Sequence, residues 1–164
     1  MSEHSALLLA EHHHVIEAAC RELLGRTYSD EPADLVAEYR RFEHEMLEHI
    51  AIEEELLLPA YAEHAPEDAR ALREDHAALR QLMYRIGIDV ELHLVRAKTV
   101  DQLIAQLRAH AVREENGLYV WAADHAPASA RQQSVDRIRR SLRELARLTG
   151  VRRARALDVQ TPRP

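Results

Sequence analysis

Two copies of one spacing carry the chemistry of this chain: His49-x-x-x-Glu53 and His110-x-x-x-Glu114. Residues four apart on a helix share a face, with β-carbons about 5–6 Å apart. Each pair therefore presents an imidazole nitrogen and a carboxylate oxygen to one point, the donors a borderline divalent or trivalent metal ion accepts. Laying 49–70 over 110–131 without a gap matches 10 of 22 positions, so the motifs belong to an internal duplication. A weaker echo sets Leu9…His13…Ile16 beside Leu72…His76…Leu79. Each unit brings one single-His helix and one His-x-x-x-Glu helix.

The elements that must position these residues are helices. Four glycines in 164 residues, 4% aromatics and abundant Ala, Leu, Arg and Glu favour an all-α fold. Helix A is expected over 5–24, stopped by Gly25, with the stripe Leu9, His13, Ile16, Cys20 and Leu23. Residues 28–32 read as a turn opening helix B, whose stripe is Leu35, Tyr39, Phe42, Met46, His49, Glu53, Leu56 and Ala60. Pro59 should kink it one to two turns past the motif, by removing a donor and crowding the Glu55 carbonyl. Helix C starts at Pro66 with Leu72, His76, Leu79, Met83, Ile86 and Val90. Helix D is expected to open on a Thr99-x-x-Gln102 capping box and close at Pro127, with Leu103, Leu107, His110, Glu114, Gly117 and Trp121 inward. The expected architecture is an up-down-up-down four-helix bundle over 1–127. A fifth amphipathic packing helix follows over 128–149, then a basic tail over 150–164. Where the repeat would place another His76, that helix has Arg137.

This register aims His13, His49, Glu53, His76, His110 and Glu114 at the bundle axis. Unmatched, two carboxylates and four imidazoles in a core would cost roughly several kcal/mol each. A polyvalent cation resolves that charge at least expense. Six donors exceed one tetrahedral site and fall short of saturating two ions, which points to a dinuclear centre with open positions. A slip of one residue in helix A would put His12 or His14 in place of His13; otherwise both are surface residues. Tyr119 and Trp121 read as core filler, and Cys20 as ordinary packing. There is no Cys pair and no His-Glu-x-x-His, and the single Glu-x-x-His, Glu11 to His14, lies off the helix A stripe, whereas a ferritin-like centre takes that motif from each of two helices.

The set His13, His49-x-x-x-Glu53-Glu54-x-x-Leu57-Leu58-Pro59, Glu74-Asp75-His76 and His110-x-x-x-Glu114-Glu115-x-x-Leu118-Tyr119 resembles the hemerythrin-like (HHE cation-binding) domain, over about residues 5–127. The resemblance implies a bundle enclosing two non-haem iron ions with an oxo or hydroxo bridge (Fe–O–Fe or Fe–OH–Fe), manganese or zinc being substitutes. It also implies Glu53 and Glu114 as bridging carboxylates and the four histidines as terminal ligands. Oxygen-carrying members use a second histidine one turn after the helix C ligand; here that position is Arg80, leaving an additional open coordination position. Glu115 competes with Glu114 for the bridging role, and both the stripe and the repeat select Glu114.

The expected partners are small diatomic ligands or peroxide: O2 or nitric oxide binding, sensing, storage, or oxidative and nitrosative defence. The rival reading is a non-catalytic iron-binding regulatory or donor module signalling through the fifth helix; a metal-free interaction bundle is a third. Glu54 and Glu115 are the nearest candidate proton donors. The net charge of −6 divides into −13 over 1–130 and +7 over 131–164, which argues against nucleic acid on the body. With no membrane-length apolar run, no secretory pattern and one cysteine, a cytoplasmic location is expected. The apolar face of the fifth helix would serve either packing or a homodimer.

Overall fold

The computed structural model describes residues 2–27 and 32–159. The helices are α1 (Ser2–Arg26), α2 (Pro32–Ile52), α3 (Leu58–His64), α4 (Pro66–Glu91), α5 (Ala97–Asn116), α6 (Leu118–His125) and α7 (Ala128–Val159). A single π turn, Glu53–Leu57, joins α2 to α3. Four antiparallel rods result: α1, then α2 with α3, then α4, then α5 with α6. The fifth helix, α7, lies against α1, α2 and the π turn. Residues 28–31 of the turn expected at 28–32 fall outside the described residues, as do 160–164. Helix α7 continues to Val159, past the point where a tail is expected to begin.

Helix B departs from its predicted course in an instructive place. Pro59 has no N–H for the carbonyl of Glu55, so an α-helical ladder cannot run through it. The chain instead inserts one residue, and the Leu58 N–H bonds the Glu53 carbonyl across five positions. The irregularity thus begins at Glu53 itself rather than beyond the motif. One inserted residue turns everything downstream by about 100°, one residue's share of a 3.6-residue turn. The buried side chains after it are accordingly Leu57, Leu58 and Tyr61, while Leu56 and Ala60 are only partly buried.

Helix D breaks at the equivalent point of the repeat. Gly117, at φ −121° and ψ −84°, ends α5 and starts α6, and the inward residues become Leu118, Tyr119, Trp121 and Ala122. A β-carbon at Gly117 would lie 2.9 Å from Asp68 Oδ2 and 3.0 Å from Tyr61 Oη, so any side chain here must displace that hydrogen-bonded pair. The expected capping box is not used. Helix α5 begins one residue after Arg96, in extended conformation, with no side-chain cap, and Thr99 sits inside its first turn. Ala97 and Lys98 are good helix formers and extend the helix upstream. Helix α4 closes on His93 in the left-handed region (φ 56°), with the Leu94 N–H reaching the Asp89 carbonyl.

The apolar core comes in two blocks. One joins Ile16, Cys20, Leu23, Phe42, Met46, Leu79, Met83, Ile86 and Leu103 at one end of the bundle. The other gathers Leu9, Ile52, Leu57, Leu58, Leu72, Leu118, Tyr119, Trp121 and Ile138 at the opposite end. The polar stripe residues fall between them, sealed above and below by hydrocarbon. Val135 and Ile138 of α7 are buried, and Arg137 forms ion pairs with Glu48 (2.9 Å) and Glu55 (2.5 Å).

Candidate metal centre

The four rods each bring one imidazole to the gap between the two core blocks. α1 supplies His13, α2 His49, α4 His76 and α5 His110. Glu53, on the first residue of the π turn, and Glu114, in the last turn of α5, enter from opposite sides. His49, Glu53, His76 and Glu114 are fully buried, and His110 is nearly so.

The donor atoms sort into two groups that share both carboxylates. His13, His49, Glu53 and Glu114 converge in one, and Glu53, His76, His110 and Glu114 in the other, with all donor atoms of a group within 4.8 Å of one another. Glu114 splits its oxygens between them: Oε2 lies 2.9 Å from His13 Nε2, and Oε1 lies 2.9 Å from His110 Nε2. Glu53 does the same, with Oε1 3.3 Å from His49 Nε2 and Oε2 3.3 Å from His76 Nε2. All four imidazoles turn Nε2 inward. Two cations held here would share both carboxylates, and each would face two histidines.

A metal ion fits these atoms better than they fit each other. Glu53 Oε2 and His110 Nε2 are buried and make no hydrogen bond, although each has an oppositely disposed neighbour within 3.3 Å. Their lone pairs point at a common centre instead of along an N–H···O line. Buried polar atoms so orphaned are costly, and neutral imidazoles with anionic carboxylates are a donor set that iron, manganese or zinc accepts. Without an ion, protons must substitute. Burial pushes the His49 imidazole down, but the Glu53 and Glu114 carboxylates outweigh it and raise it to about 10. His76, opposed by burial and favoured by the same two carboxylates, rises to about 9. Burial pushes Glu53 and Glu114 up, and the facing histidines pull both below the usual carboxylate range.

The outward nitrogens are also held. His76 Nδ1 meets Glu54 Oε1 at 3.0 Å, and Arg80 grips both Glu54 oxygens at 2.8 and 2.7 Å. His13 Nδ1 meets Glu115 Oε1 at 3.3 Å. The repeat is visible here: the second glutamate of each Glu-Glu pair orients the histidine of the other unit's single-His helix. Glu54 and Glu115, the nearest candidate proton donors in the sequence, thus face the outward nitrogens of these two rings. His110 differs: Asp75 Oδ2 stands 3.7 Å from its Nδ1, beyond hydrogen-bond distance, and that buried nitrogen is without a partner among the described residues. Such outward partners fix ring orientation and raise ligand basicity.

Two residues exceed their sequence reading. Tyr119, expected as filler, places its hydroxyl within the first group: it donates to Glu53 Oε1 and lies 3.1 Å from His13 Nε2 and 3.3 Å from Glu114 Oε2. Burial and the two carboxylates push its phenol well above the usual value, so it keeps its proton. The signal lies in the repeat, where Tyr119 replaces Leu58. His12, expected at the surface, is completely buried behind His49, with its Nδ1 3.1 Å from His49 Nδ1. The α1 residue that faces the carboxylates remains His13. His14 is exposed.

No match was found among curated proteins or among solved structures. The model of the hemerythrin HHE cation-binding domain matches residues 5–122, a span that contains all six converging residues and both Glu-Glu pairs. With a bundle of the expected topology and two His/Glu groups sharing Glu53 and Glu114, as a bridged di-iron or substitute-metal centre requires, the chain belongs to the hemerythrin HHE cation-binding family.

Proposed function

We propose that His13, His49, Glu53, His76, His110 and Glu114 hold a pair of non-haem iron ions, and that the centre binds or reacts with O2, nitric oxide or peroxide. The observation that carries this reading is the division of both carboxylates between the two histidine pairs. When bound, the iron pair supplies redox and Lewis-acid chemistry to a small ligand. The chain's own residues do the rest. The two hydrocarbon blocks exclude water, and Glu115 and Glu54 hold His13 and His76 by Nδ1 with Nε2 turned inward. Tyr119 keeps a proton at Oη beside Glu53, and it replaces Glu54 and Glu115 as the candidate proton source.

Access supports a small ligand. A cavity of about 460 Å³ opens between α1 and α5, lined by Ile16, Met46, Leu107 and Ala111, and touches His13 and His110, one histidine of each group. Its outer end carries Glu17, whose Oε1 accepts from Arg21 (2.6 Å) and Arg108 (2.7 Å). His13 is the most exposed of the six, at 11% of its side chain, so a ligand reaches the centre past it. A buried, unpaired Cys20 fits a reducing cytoplasm, and among the described residues no helix is long and apolar enough to cross a membrane. A homodimer through α7 would need residues other than Val135 and Ile138, already buried within the chain.

The test is metal analysis of aerobically purified protein with an absorption spectrum, before and after azide, nitric oxide and peroxide. The expected result is two iron ions per chain and a spectrum that each ligand perturbs. A folded wild-type chain that takes up no metal from an iron(II) solution sinks the proposal. The non-catalytic module keeps one specific support, the tie from α7 to His49 described next; iron-loaded protein that binds ligand but does not consume peroxide or nitric oxide would select it.

A further inference from the structure

We infer that His12 is a positioning residue for the metal centre, and that Ser141 on α7 and Glu45 on α2 complete the chain through which it fixes His49. The inference rests on the reading of His49 as a ligand. Three of the four inward histidines have a carboxylate near Nδ1, namely Glu54, Glu115 and Asp75, each at least 29% exposed. His49 is the exception. Among the described residues its Nδ1 faces only the His12 ring, and the carboxylate is displaced one step outward to Glu45, 3.1 Å from His12 Nε2. Ser141 Oγ donates to the same Glu45 oxygen at 2.8 Å.

The order of protons along this chain follows from donor and acceptor chemistry. An ionised carboxylate only accepts, so His12 Nε2 carries hydrogen toward Glu45. The neutral His12 ring then has a bare Nδ1, and His49 must carry its proton on Nδ1 to bond it. That leaves His49 Nε2 bare and directed at Glu53 and Glu114, the one tautomer able to coordinate. The reverse order would set a bare His12 Nε2 against a carboxylate and aim an N–H into the centre. His12, Glu45 and Ser141 are 0%, 1% and 4% exposed, so no bulk water offers His49 another partner. Ser141 also lies beyond residues 5–122, the span of the family match. A helix outside that span therefore reaches a ligand through three hydrogen bonds.

The experiment uses the full chain and cobalt(II) as probe, titrated against a competing chelator, with histidine nitrogen shifts read by NMR on the zinc-loaded protein. Wild type is expected to bind two cobalt ions and to show His49 protonated at Nδ1. Glu45→Gln, nearly isosteric, should weaken one of the two ions by roughly 10–100-fold and leave the other within about twofold. Ser141→Ala should shift the same ion in the same direction by less, and Ser141→Thr should restore it. Equal weakening of both ions, unchanged affinity in a folded Glu45→Gln variant, or unchanged His49 nitrogen shifts would overturn the relay while leaving the six-residue centre standing. Wild type that binds no cobalt, zinc or iron overturns both.

Discussion

Replacing Glu114 by glutamine alters one atom at the point where the two halves of the centre meet. The carboxylate faces His13 and His110 at 2.9 Å, His76 at 3.3 Å and His49 at 3.9 Å, and it is fully buried. An amide keeps the volume but offers one oxygen and two N–H donors, so it cannot present an anionic oxygen to both ions. Partners that only orient a ligand cost about 10–100-fold in metal affinity when removed, or roughly 1.4–2.7 kcal/mol. A group that bridges must cost more, so Glu114→Gln should lose at least about 100-fold and leave fewer than two ions per chain. Glu115→Gln is the comparison. Its side chain is 42% exposed and its contact with the centre is the 3.3 Å approach to His13 Nδ1, so its loss should stay near the lower end, about tenfold. Chelator competition with metal analysis of both variants reads the difference. Glu115→Gln costing more than Glu114→Gln, or Glu114→Gln holding two ions within tenfold of wild type, would refute the bridging geometry.

Alkaline pH should separate the metal-free and metal-loaded proteins. His49 and His76, raised to about 10 and about 9 from 6.5, contribute stability that is complete below pH 6.5 and lost as pH climbs through 9 and 10. Metal competes with protons for the same nitrogens, so the gap between the two melting curves should widen over that window; a gap that narrows refutes the assignment. Tyr119→Phe removes a buried hydrogen bond to a carboxylate, about 1.5–3 kcal/mol, and should lower the metal-free midpoint by roughly 3–12 °C. Peroxide consumption in that variant should fall with iron content intact, and an unchanged rate would remove Tyr119 as proton source. Gly117→Ala would drive a methyl against Arg113 O at 3.2 Å and the Tyr61–Asp68 hydrogen bond, costing about 1–3 kcal/mol in calorimetric stability; a rise in midpoint would show that the helix break does not need glycine.

The apolar stripes are a reliable guide as far as each motif, and beyond it only Trp121 of the expected stripe residues stays buried. Leu9, Ile16, Cys20, Leu72, His76, Leu79 and Met83 are buried as the four-three rhythm requires, because α1 and α4 are uninterrupted. After Glu53 and after Glu114 the rhythm slips, since a π turn and a glycine break each alter the helical phase. The unbroken rhythm therefore predicts Leu56, Ala60 and Gly117 inward, where Leu57, Leu58 and Tyr119 stand. His12 escapes for a different reason. It lies about 100° off the α1 stripe, and a four-rod bundle would leave that flank in water; α7 packs against α1 and encloses it. The hint in the sequence is Glu45, placed one turn before His49 on α2 as Glu53 is placed one turn after it.

The crossing of the two glutamate pairs makes each half of the molecule dependent on the other. His13 and His49 come from the first hairpin, but Glu114 and Glu115 reach them from the second; His76 and His110 stand in the mirror situation toward Glu53 and Glu54. Neither hairpin can assemble a complete coordination sphere alone. Filling the centre consequently staples one hairpin to the other, and stripping it should loosen the seam between them before it melts either hairpin.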